Sequence, residues 1–360
     1  MATERILVLG AGELGLSVLR ALSQHSSQPA SSRDDVKPTI AVLVRAASLA
    51  TKPTLPADLR AVGANTIETA DVVASPAADL ARIFARYDTI ISCNGMGLPP
   101  GTQLKLLDAV LQSLPLANAA DRTNDNELEK NKKKRYFPWQ FGMDYDAIGR
   151  GSAQDLFDEQ LAVRDRLRGL RPSAPLASAS ALRLDWTILS TGLFMSFLFR
   201  PDFGVVDIPA RKVRALGSWD AEITVTDVAD VGVAVAEAVL GPPLDSTTGD
   251  AESGRVLYIA GDTLSYRQIA DLVDKCFADR AGQECGRSGK FDRELWDTKA
   301  RDAQKERDGA KVMYKYRSTF ARGKGVAWNK EGTFGEERGL KMLSAERYLE
   351  TLGDNGELKQ

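Results

Sequence analysis

Short apolar runs alternate with longer segments of helical spacing in the first half of the chain. Runs that are β-branched or continuously apolar predict buried strands at 6–9, 39–44, 89–92, 135–137 and 186–189. Apolar residues that recur every three or four positions predict helices at 14–22, 77–86 and 104–114. Strands that alternate with helices are joined by right-handed crossovers into a parallel sheet. The pattern therefore predicts an α/β fold.

Other segments depart from this alternation. Residues 23–38 and 241–255 are polar and contain proline, so both are expected to form surface loops. The charge run at 126–135 predicts a solvated segment, with a polyanion patch as the alternative. Residues 286–338 are strongly charged with scattered aromatic side chains. A lid, an extension and partial disorder all stay open for that stretch.

Four acidic or hydroxyl-bearing positions indicate helix starts. Ser152–Asp155 and Ser265–Gln268 have the spacing of capping boxes, in which two side chains satisfy the first N–H groups of a helix. Asp227 and Asp230 are expected to cap or orient a helix that begins near residue 227. We interpret all of these as structural.

A glycine-rich turn joins the first predicted strand to the first predicted helix. It reads Gly10-Ala11-Gly12-Glu13-Leu14-Gly15. In a G-x-G-x-x-G turn the first glycine permits the tight turn, the second lets a pyrophosphate approach the backbone, and the third lets the helix pack closely on the strand. The helix N-terminus adds free N–H groups and a positive dipole end. The motif predicts a Rossmann-type doubly wound parallel sheet with a smaller C-terminal α+β substrate lobe.

The end of the second predicted strand indicates which dinucleotide is bound. An acidic residue there would bind the ribose 2′-hydroxyl of NAD, but this strand is followed by Arg45. A guanidinium matches a phosphate in a bidentate manner, so NADP(H) is the predicted cofactor. Lys52 is a candidate for a second positive charge, and a plain surface arginine is the alternative for Arg45. The expected domains are 1–190 for NADP binding and 191–360 for substrate, with 221–240 a candidate to return to the first.

Composition excludes several kinds of site. Among 360 residues there is one histidine, His25, and three cysteines, Cys93, Cys276 and Cys285. This count speaks against a Ser-His-Asp triad, a multi-histidine metal site and a disulfide framework, so no metal is expected. The net charge of −2 speaks against a nucleic-acid partner. No signal peptide or membrane span is visible, so a cytoplasmic location is expected. The expected oligomeric state is a monomer or a homodimer.

The segment 135–144, RYFPWQFGMD, carries a family resemblance. It resembles the R-F-F-P-S-E-F-G-M-D stretch of the isoflavone reductase and phenylcoumaran benzylic ether reductase family, which belongs to the NmrA-like atypical short-chain dehydrogenases. Segments 6–15, 221–240, 256–277 and 344–352 are similar to further parts of that family in the same order. The segment is closer to fungal isoflavone-reductase-like proteins, which act in secondary metabolism.

The resemblance implies an NADPH-dependent reductase of aromatic small molecules. The expected cofactor-binding residues lie in the glycine turn, after the second strand, after the 89–92 strand and after the 135–137 strand. They are Gly10, Gly12, Glu13, Leu14, Gly15, Arg45, Lys52, Cys93, Asn94, Gly95, Phe137 and Pro138.

The family's catalytic lysine position is occupied by Gln160, in the segment FDEQ. An amide can donate a hydrogen bond to a developing oxyanion but cannot supply a proton as an ammonium does. Gln160 lies on an apolar helical stripe with Leu156, Val163, Leu167 and Leu170, so it needs a polar partner from a ligand or from nearby backbone.

No tyrosine is followed by lysine at +4, so the usual short-chain dehydrogenase pair is absent. Tyr145 is therefore a second catalytic candidate. Asp144 beside it is another candidate donor, and a helix cap is the alternative for either residue. His25 is expected in the loop after the first helix, away from the chemistry.

Two aromatic-rich segments follow predicted strand ends. Because ligands bind outside the carboxyl ends of parallel strands, these segments predict a flat apolar slot suited to an aromatic ring. The candidate substrate residues are Trp139, Gln140, Phe141, Met143 and Phe194. The alternative for the 193–199 run is core between the two lobes.

Three functions are compatible with these residues. The first is an NADPH-dependent reductase of an aromatic or polyketide-type metabolite. The second is a non-catalytic dinucleotide sensor of the NmrA type, which the missing lysine favours. The third is an isomerase or dehydratase that keeps the dinucleotide as scaffold. The aromatic segments after the strands favour the reductase.

Overall fold

The computed structural model describes residues 3–27, 37–114, 133–170, 184–243, 254–281, 290–296, 312–353 and 356. Most of the predicted charge run 126–135 and of the predicted loops 23–38 and 241–255 lies outside the described residues, namely residues 126–132, 28–36 and 244–253. Cys285 and residues 297–311 also lie outside them.

The strands, numbered in chain order, are β1 (Arg5–Leu9), β2 (Thr39–Val44), β3 (Thr66–Thr69), β4 (Thr89–Ser92), β5 (Lys134–Phe137), β6 (Leu184–Ser190), β7 (Leu193–Phe194), β8 (Val206–Asp207), β9 (Lys212–Leu216), β10 (Glu222–Thr226), β11 (Gly254–Tyr258), β12 (Asp262–Ser265) and β13 (Asp292–Trp296). The helices are α1 (Glu13–His25), α2 (Ala46–Thr51), α3 (Leu55–Ala61), α4 (Ala77–Phe84), α5 (Thr102–Gln112), α6 (Tyr145–Ile148), α7 (Asp155–Arg168), α8 (Met195–Leu198), α9 (Val228–Leu240), α10 (Tyr266–Ala281), α11 (Val312–Phe320), α12 (Phe334–Glu337) and α13 (Ala345–Thr351).

The main sheet has seven strands in the order β11-β6-β5-β4-β1-β2-β3. Strand pairs from β6 to β3 are all parallel, and β1 lies in register between β2 and β4. The chain adds β2 and β3 on one side of β1, and then β4, β5 and β6 on the other. The order therefore reverses between β1 and β4, which is the switch point of a doubly wound sheet. The predicted Rossmann-type fold is confirmed.

The chain divides into two compact units that alternate along the sequence. Unit 1 comprises residues 1–140, 162–189 and 232–257, and unit 2 comprises residues 141–161, 190–231 and 258–360. Unit 1 buries a core of β-strand and helix side chains that includes Leu7, Phe84, Tyr136 and Trp186. Parallel strands covered on both faces require such continuous apolar runs, and β1 and β2 are buried from their second residue onward.

Unit 2 contains two three-stranded sheets, β12-β10-β7 and β13-β9-β8. Its core is rich in aromatic side chains, and Phe157, Phe197, Phe203 and Tyr316 make a chain of ring contacts with centroids 4.8–5.8 Å apart. Part of the segment 286–338 therefore has regular structure, because β13, α11 and α12 lie within it. The sequence pattern predicts none of these three elements.

Two local predictions are wrong. His25 is the last residue of α1 rather than a loop residue, and its Nε2 lies 3.2 Å from Glu237 Oε2 in α9. Ser152 does not begin a helix. Positive φ angles at Gly149 and Gly151 extend the turn, α7 starts at Asp155, and Gln154 Oε1 accepts the N–H of Leu156 at 3.4 Å.

The other helix starts agree with the sequence. Ser265 and Gln268 form a reciprocal capping box, since each side-chain oxygen accepts the backbone N–H of the other residue, at 3.2 and 2.8 Å. Asp227 accepts the N–H of Ala229 at 3.1 Å at the start of α9. Asp230 accepts the N–H of Leu343 at 2.5 Å and so holds a C-terminal segment of unit 2.

Asp230 makes the stability of unit 2 dependent on pH. Burial, more than the neighbouring Asp227 charge, raises the pKa of this carboxyl from 3.8 to about 6, although the Leu343 N–H and Lys330 oppose the shift. Its contribution to stability is full below pH 3.8 and is lost as the pH rises through 6. Asn accepts the same hydrogen bond without charge. Asp230→Asn is therefore expected to stabilise the protein at pH 7 by up to about 3 kcal/mol.

Chemical denaturation at several pH values measures this difference, which should shrink to near zero at pH 4. Asp220→Asn is the control for loss of a surface carboxylate, because this side chain is 77% exposed and its ion pair with the exposed Arg267 contributes little to stability. A stability difference that does not vary with pH would contradict the assignment.

Candidate cofactor and catalytic site

The three glycines of the N-terminal turn have three different structural requirements. Gly10 has φ of +97°, which L side chains rarely adopt, and its N–H donates to Leu43 O at 3.0 Å. A Cβ placed on Gly15 would lie 2.1 Å from Gly10 O, so only glycine lets α1 approach β1 this closely. A Cβ on Gly12 would meet no atom of the described residues within 4 Å, its own chain neighbours aside. The protein itself thus leaves the space beside Gly12 open, at the N-terminus of a 13-residue helix.

That open space is what a pyrophosphate needs. The helix N-terminus offers free N–H groups and a positive dipole end to an anion, and the missing Cβ lets the anion come close to the backbone. Glu13 is exposed and Leu14 is buried in the first turn of α1. The residues present therefore fit a dinucleotide.

Arg45 immediately follows β2 and is exposed. Its side chain makes no hydrogen bond or ion pair with any residue that the structure describes. The Arg45 charge also acts on the Asp71 carboxyl. Hydrogen bonds from the N–H groups of Val73 and Ala74 are the main reason why the pKa of Asp71 is lowered, and the charges of Arg45 and Lys105 lower it further. Lys52 lies beyond the far end of α2, about 10 Å along the helix axis from Arg45. This helix therefore does not bring the two cations together.

The carboxyl ends of β4 and β5 lie beside the glycine turn. A Cβ on Gly10 would lie 3.0 Å from Asn94 Cβ, so the turn after β4 touches the turn after β1. Asn94 is held by Gln103, whose Nε2 donates to its backbone oxygen at 3.1 Å, and by Ser92 Oγ, which lies 3.2 Å from its Oδ1. Cys93 is buried, and burial raises the pKa of its thiol, which disfavours the reactive thiolate.

The turn after β5 brings Trp139 onto Gly95. A Cβ on Gly95 would lie 1.8 Å from Cδ2 and 2.3 Å from Cε2 of the indole. Phe137 and Pro138 before it are buried, and Trp139 is half-buried. The turns after β1, β4 and β5 therefore form a continuous surface at one edge of the sheet in unit 1.

Gln140 is tied to a buried arginine of α7. Its Oε1 accepts the Nε–H of Arg164 at 2.7 Å, and the two residues are 1% and 0% exposed. A hydrogen bond from a charged donor is stronger than a neutral one, and a buried guanidinium requires such partners. This contact fixes Gln140 at the carboxyl end of β5.

The predicted catalytic residues lie in unit 2. Gln160 is 1% exposed, as its position on the apolar stripe of α7 predicts. Tyr145 is buried in the unit 2 core, 4.9 Å from the ring of Phe157, and a Cβ on Gly142 would lie 2.4 Å from its hydroxyl. Asp144 caps α6, because its Oδ1 accepts the N–H of Ala147 at 3.1 Å.

The predicted substrate residues Phe141, Met143 and Phe194 also lie in unit 2. Phe141 and Met143 are buried, and Phe194 is half-buried. The other residues of the 193–199 run pack mainly into the unit 2 core, with Phe199 stacked on Tyr348 at 5.5 Å. The structure thus favours a core role for most of this run, whereas the substrate roles stay predictions.

A fungal relative aligns with most of this chain. An NmrA-like family domain-containing oxidoreductase of Gibberella moniliformis is 43% identical over 349 residues, which are 96% of this chain and 97% of the relative. This chain belongs to the NmrA-like oxidoreductase family. No family model matches it.

Solved structures show the same fold for this NmrA-like oxidoreductase. An isoflavone reductase has a TM-score of 0.66 at 18% identity, covering 97% of this chain and 99% of its own. AtPrR2 with NADP+ and (+)pinoresinol has a TM-score of 0.66 at 16% identity with the same coverage. The resemblance to isoflavone reductases is confirmed.

Metal-ligand clusters and membrane spans are both absent from the described part of the NmrA-like chain. Among the described residues, no group of three or more histidine, cysteine or carboxylate side chains is placed to hold a metal ion. None of the helices in the described ranges is long and apolar enough to span a membrane.

Sequence reasoning missed two residues that interact with predicted site residues, Arg164 with Gln140 and Asp71 with Arg45. Arg164 follows Gln160 by four positions and so shares its helical face, but arginine is rarely fully buried, and its residue type alone does not predict an interior position. Asp71 follows β3, a strand whose sequence TIET has a single apolar residue and gives no strand signal. The helical spacing from Gln160 was the signal that could have found Arg164.

Proposed function

We propose that this NmrA-like oxidoreductase is an NADPH-dependent reductase of an aromatic or polyketide-type small molecule, acting in secondary metabolism. The open space beside Gly12, between two glycines that the backbone itself requires, is the observation that carries the proposal. Bound NADPH would supply the hydride. The oxidoreductase name of the 43% relative supports catalysis over a sensor role, and the NADP+ and (+)pinoresinol bound by AtPrR2 support this cofactor and substrate class.

The remaining roles in this proposal follow the chemistry of the side chains. The glycine turn would bind the pyrophosphate and Arg45 the 2′-phosphate. Gln160 and Tyr145 would polarise the acceptor oxygen, because an amide or a phenol can donate a hydrogen bond to it. Phe141, Met143 and Phe194 would contact the ring of the substrate.

The experiment is a turnover assay. Purified protein is mixed with NADPH and a panel of aromatic ketones, quinones and enones, and the nicotinamide absorbance is followed. Oxidation of NADPH that depends on one class of acceptor is the expected result. Tight NADPH binding without turnover across the whole panel would favour the sensor and overturn the reductase proposal.

Arg45→Ala tests the choice of dinucleotide. A charged hydrogen bond contributes ~1.5–3 kcal/mol, so the preference for NADPH over NADH is expected to fall roughly 10- to 100-fold. The affinity for NADH should change little. Calorimetric titration of both dinucleotides measures the ratio, and Arg60→Ala, on an exposed arginine of α3, is the matched control. An unchanged ratio would show that the 2′-phosphate assignment is wrong.

A further inference from the structure

The indole ring of Trp139 contacts the backbone of Gly95 with one of its faces. The hypothetical Cβ on Gly95 lies 1.8, 2.0 and 2.3 Å from Cδ2, Cε3 and Cε2, which are atoms of the six-membered ring of the indole. One face of the ring therefore rests on the Gly95 backbone, and any side chain at position 95 would displace it. Gly95 is buried, while Trp139 keeps part of its surface exposed.

The strand order indicates which half of a bound dinucleotide would lie next to the Trp139 ring. The switch point lies between β1 and β4, and a dinucleotide binds across it. Arg45 lies on the β2 side, where the 2′-phosphate end belongs. Trp139 lies on the other side, two strand spacings or about 10 Å from β1, where the nicotinamide half belongs.

We propose that the face of Trp139 opposite Gly95 is a stacking platform for the nicotinamide ring of the bound dinucleotide. The inference rests on the proposed function, and it assigns to the cofactor a residue that the sequence pattern places in the substrate slot. This chain has Trp139 where the family stretch R-F-F-P-S-E-F-G-M-D, which residues 135–144 resemble, has serine.

The oxidised and the reduced nicotinamide rings differ in charge, so Trp139 is expected to bind one more tightly than the other. The oxidised nicotinamide is a cationic pyridinium, whereas the reduced ring is neutral. An indole face attracts cations, so Trp139 stabilises bound NADP+ more than bound NADPH. The platform therefore shifts the balance between bound oxidised and bound reduced cofactor.

Binding of three ligands tests this inference without turnover. NADP+, NADPH and 2′-phospho-ADP-ribose, which lacks the nicotinamide ring, are titrated by calorimetry into wild type and into Trp139→Ser, and the tryptophan fluorescence of wild type is recorded in parallel. The NADP+ affinity is expected to fall roughly 3- to 30-fold, the NADPH affinity less, and the fragment affinity not at all. NADP+ should quench the wild-type fluorescence by contact, and the fragment should not.

Two variants separate the platform from general structure. Trp219→Phe removes a tryptophan of unit 2 and is expected to keep the quenching by NADP+. Gly95→Ala keeps the indole but displaces it, and it should reproduce the loss of NADP+ affinity seen in Trp139→Ser.

The outcomes distinguish the two proposals. Failure of all three ligands to bind wild type would overturn the cofactor proposal and the platform with it. Normal fragment binding with an unchanged NADP+ affinity in Trp139→Ser would overturn the platform alone. A raised KM for the aromatic substrate with unchanged NADP+ affinity would return Trp139 to the substrate and also overturn the platform.

Discussion

Gly15→Ala is expected to lower the melting temperature by about 10 °C, whereas Gly12→Ala leaves it nearly unchanged and weakens NADPH binding. The methyl group added at position 15 has no room, because its carbon would lie 2.1 Å from Gly10 O. Separating α1 from β1 to relieve this overlap costs about 3 kcal/mol or more. Only the backbone of the turn and its helix can move, since the obstacle is itself backbone.

Gly12→Ala provides the matched comparison. Gly12 has φ of −80° and ψ of −171°, which alanine adopts without strain. Apart from its chain neighbours, no residue that the structure describes has an atom within 4 Å of the added Cβ. The methyl group would occupy the space that a pyrophosphate needs, so the Kd for NADPH should rise by at least about tenfold, or 1.4 kcal/mol. Thermal unfolding and calorimetric titration measure the two quantities. Wild-type NADPH affinity in Gly12→Ala would mean that no pyrophosphate binds at this turn.

The glycine turn could be predicted because its determinants are local. A strand of continuous apolar residues, three spaced glycines and an amphipathic helix lie within 25 residues, and each constrains the next. The same holds for the capping box at Ser265, where both partners lie within one helical turn. Hydrogen bonds and steric contacts between residues that are close in sequence can be predicted from the sequence itself.

Long-range contacts could not be predicted in this way. The chain crosses between its two units several times, and no composition change marks the crossings at residues 140 and 161. β13 pairs in parallel with β9, about 80 residues earlier, and its sequence DRELW alternates too weakly to indicate a strand. The stacking of Trp139 on Gly95 also joins two turns more than 40 residues apart. Such pairings depend on the folded sheet, not on a spacing.

The catalytic and binding roles of the site residues could be predicted from the sequence only in part. The resemblance places Gln160 and Tyr145, but the structure adds that both are buried, so a role in proton transfer requires access that sequence alone does not address. The position of Arg45 follows from the strand end that precedes it, and its exposed side chain agrees with a ligand-binding role that only the affinity ratio tests.

Gln140 and Arg164 are expected to stabilise unit 1 as a coupled pair. Arg164→Met removes a fully buried guanidinium from its 2.7 Å contact with Gln140, and Gln140→Leu leaves the charge without this acceptor. Each change is expected to cost about 2–4 kcal/mol, because a buried polar partner loses its hydrogen bond. The double variant should cost less than the sum of the two, by about 1–3 kcal/mol.

Gln140→Glu gives the opposite test, since glutamate stands at this position in the resembling family segment. A carboxylate in the place of Gln140 Oε1 would neutralise the guanidinium and accept a stronger, charge-assisted hydrogen bond. The melting temperature is therefore expected to be retained or raised in Gln140→Glu and to fall in Gln140→Leu, although the two side chains are similar in length. Urea denaturation of wild type, the two single variants and the double variant gives the coupling energy, and the same measurement on Gln140→Glu compares it with Gln140→Leu. Strict additivity would show that Arg164 is held by other groups. Equal destabilisation by Glu and Leu would show that the position tolerates only the neutral amide.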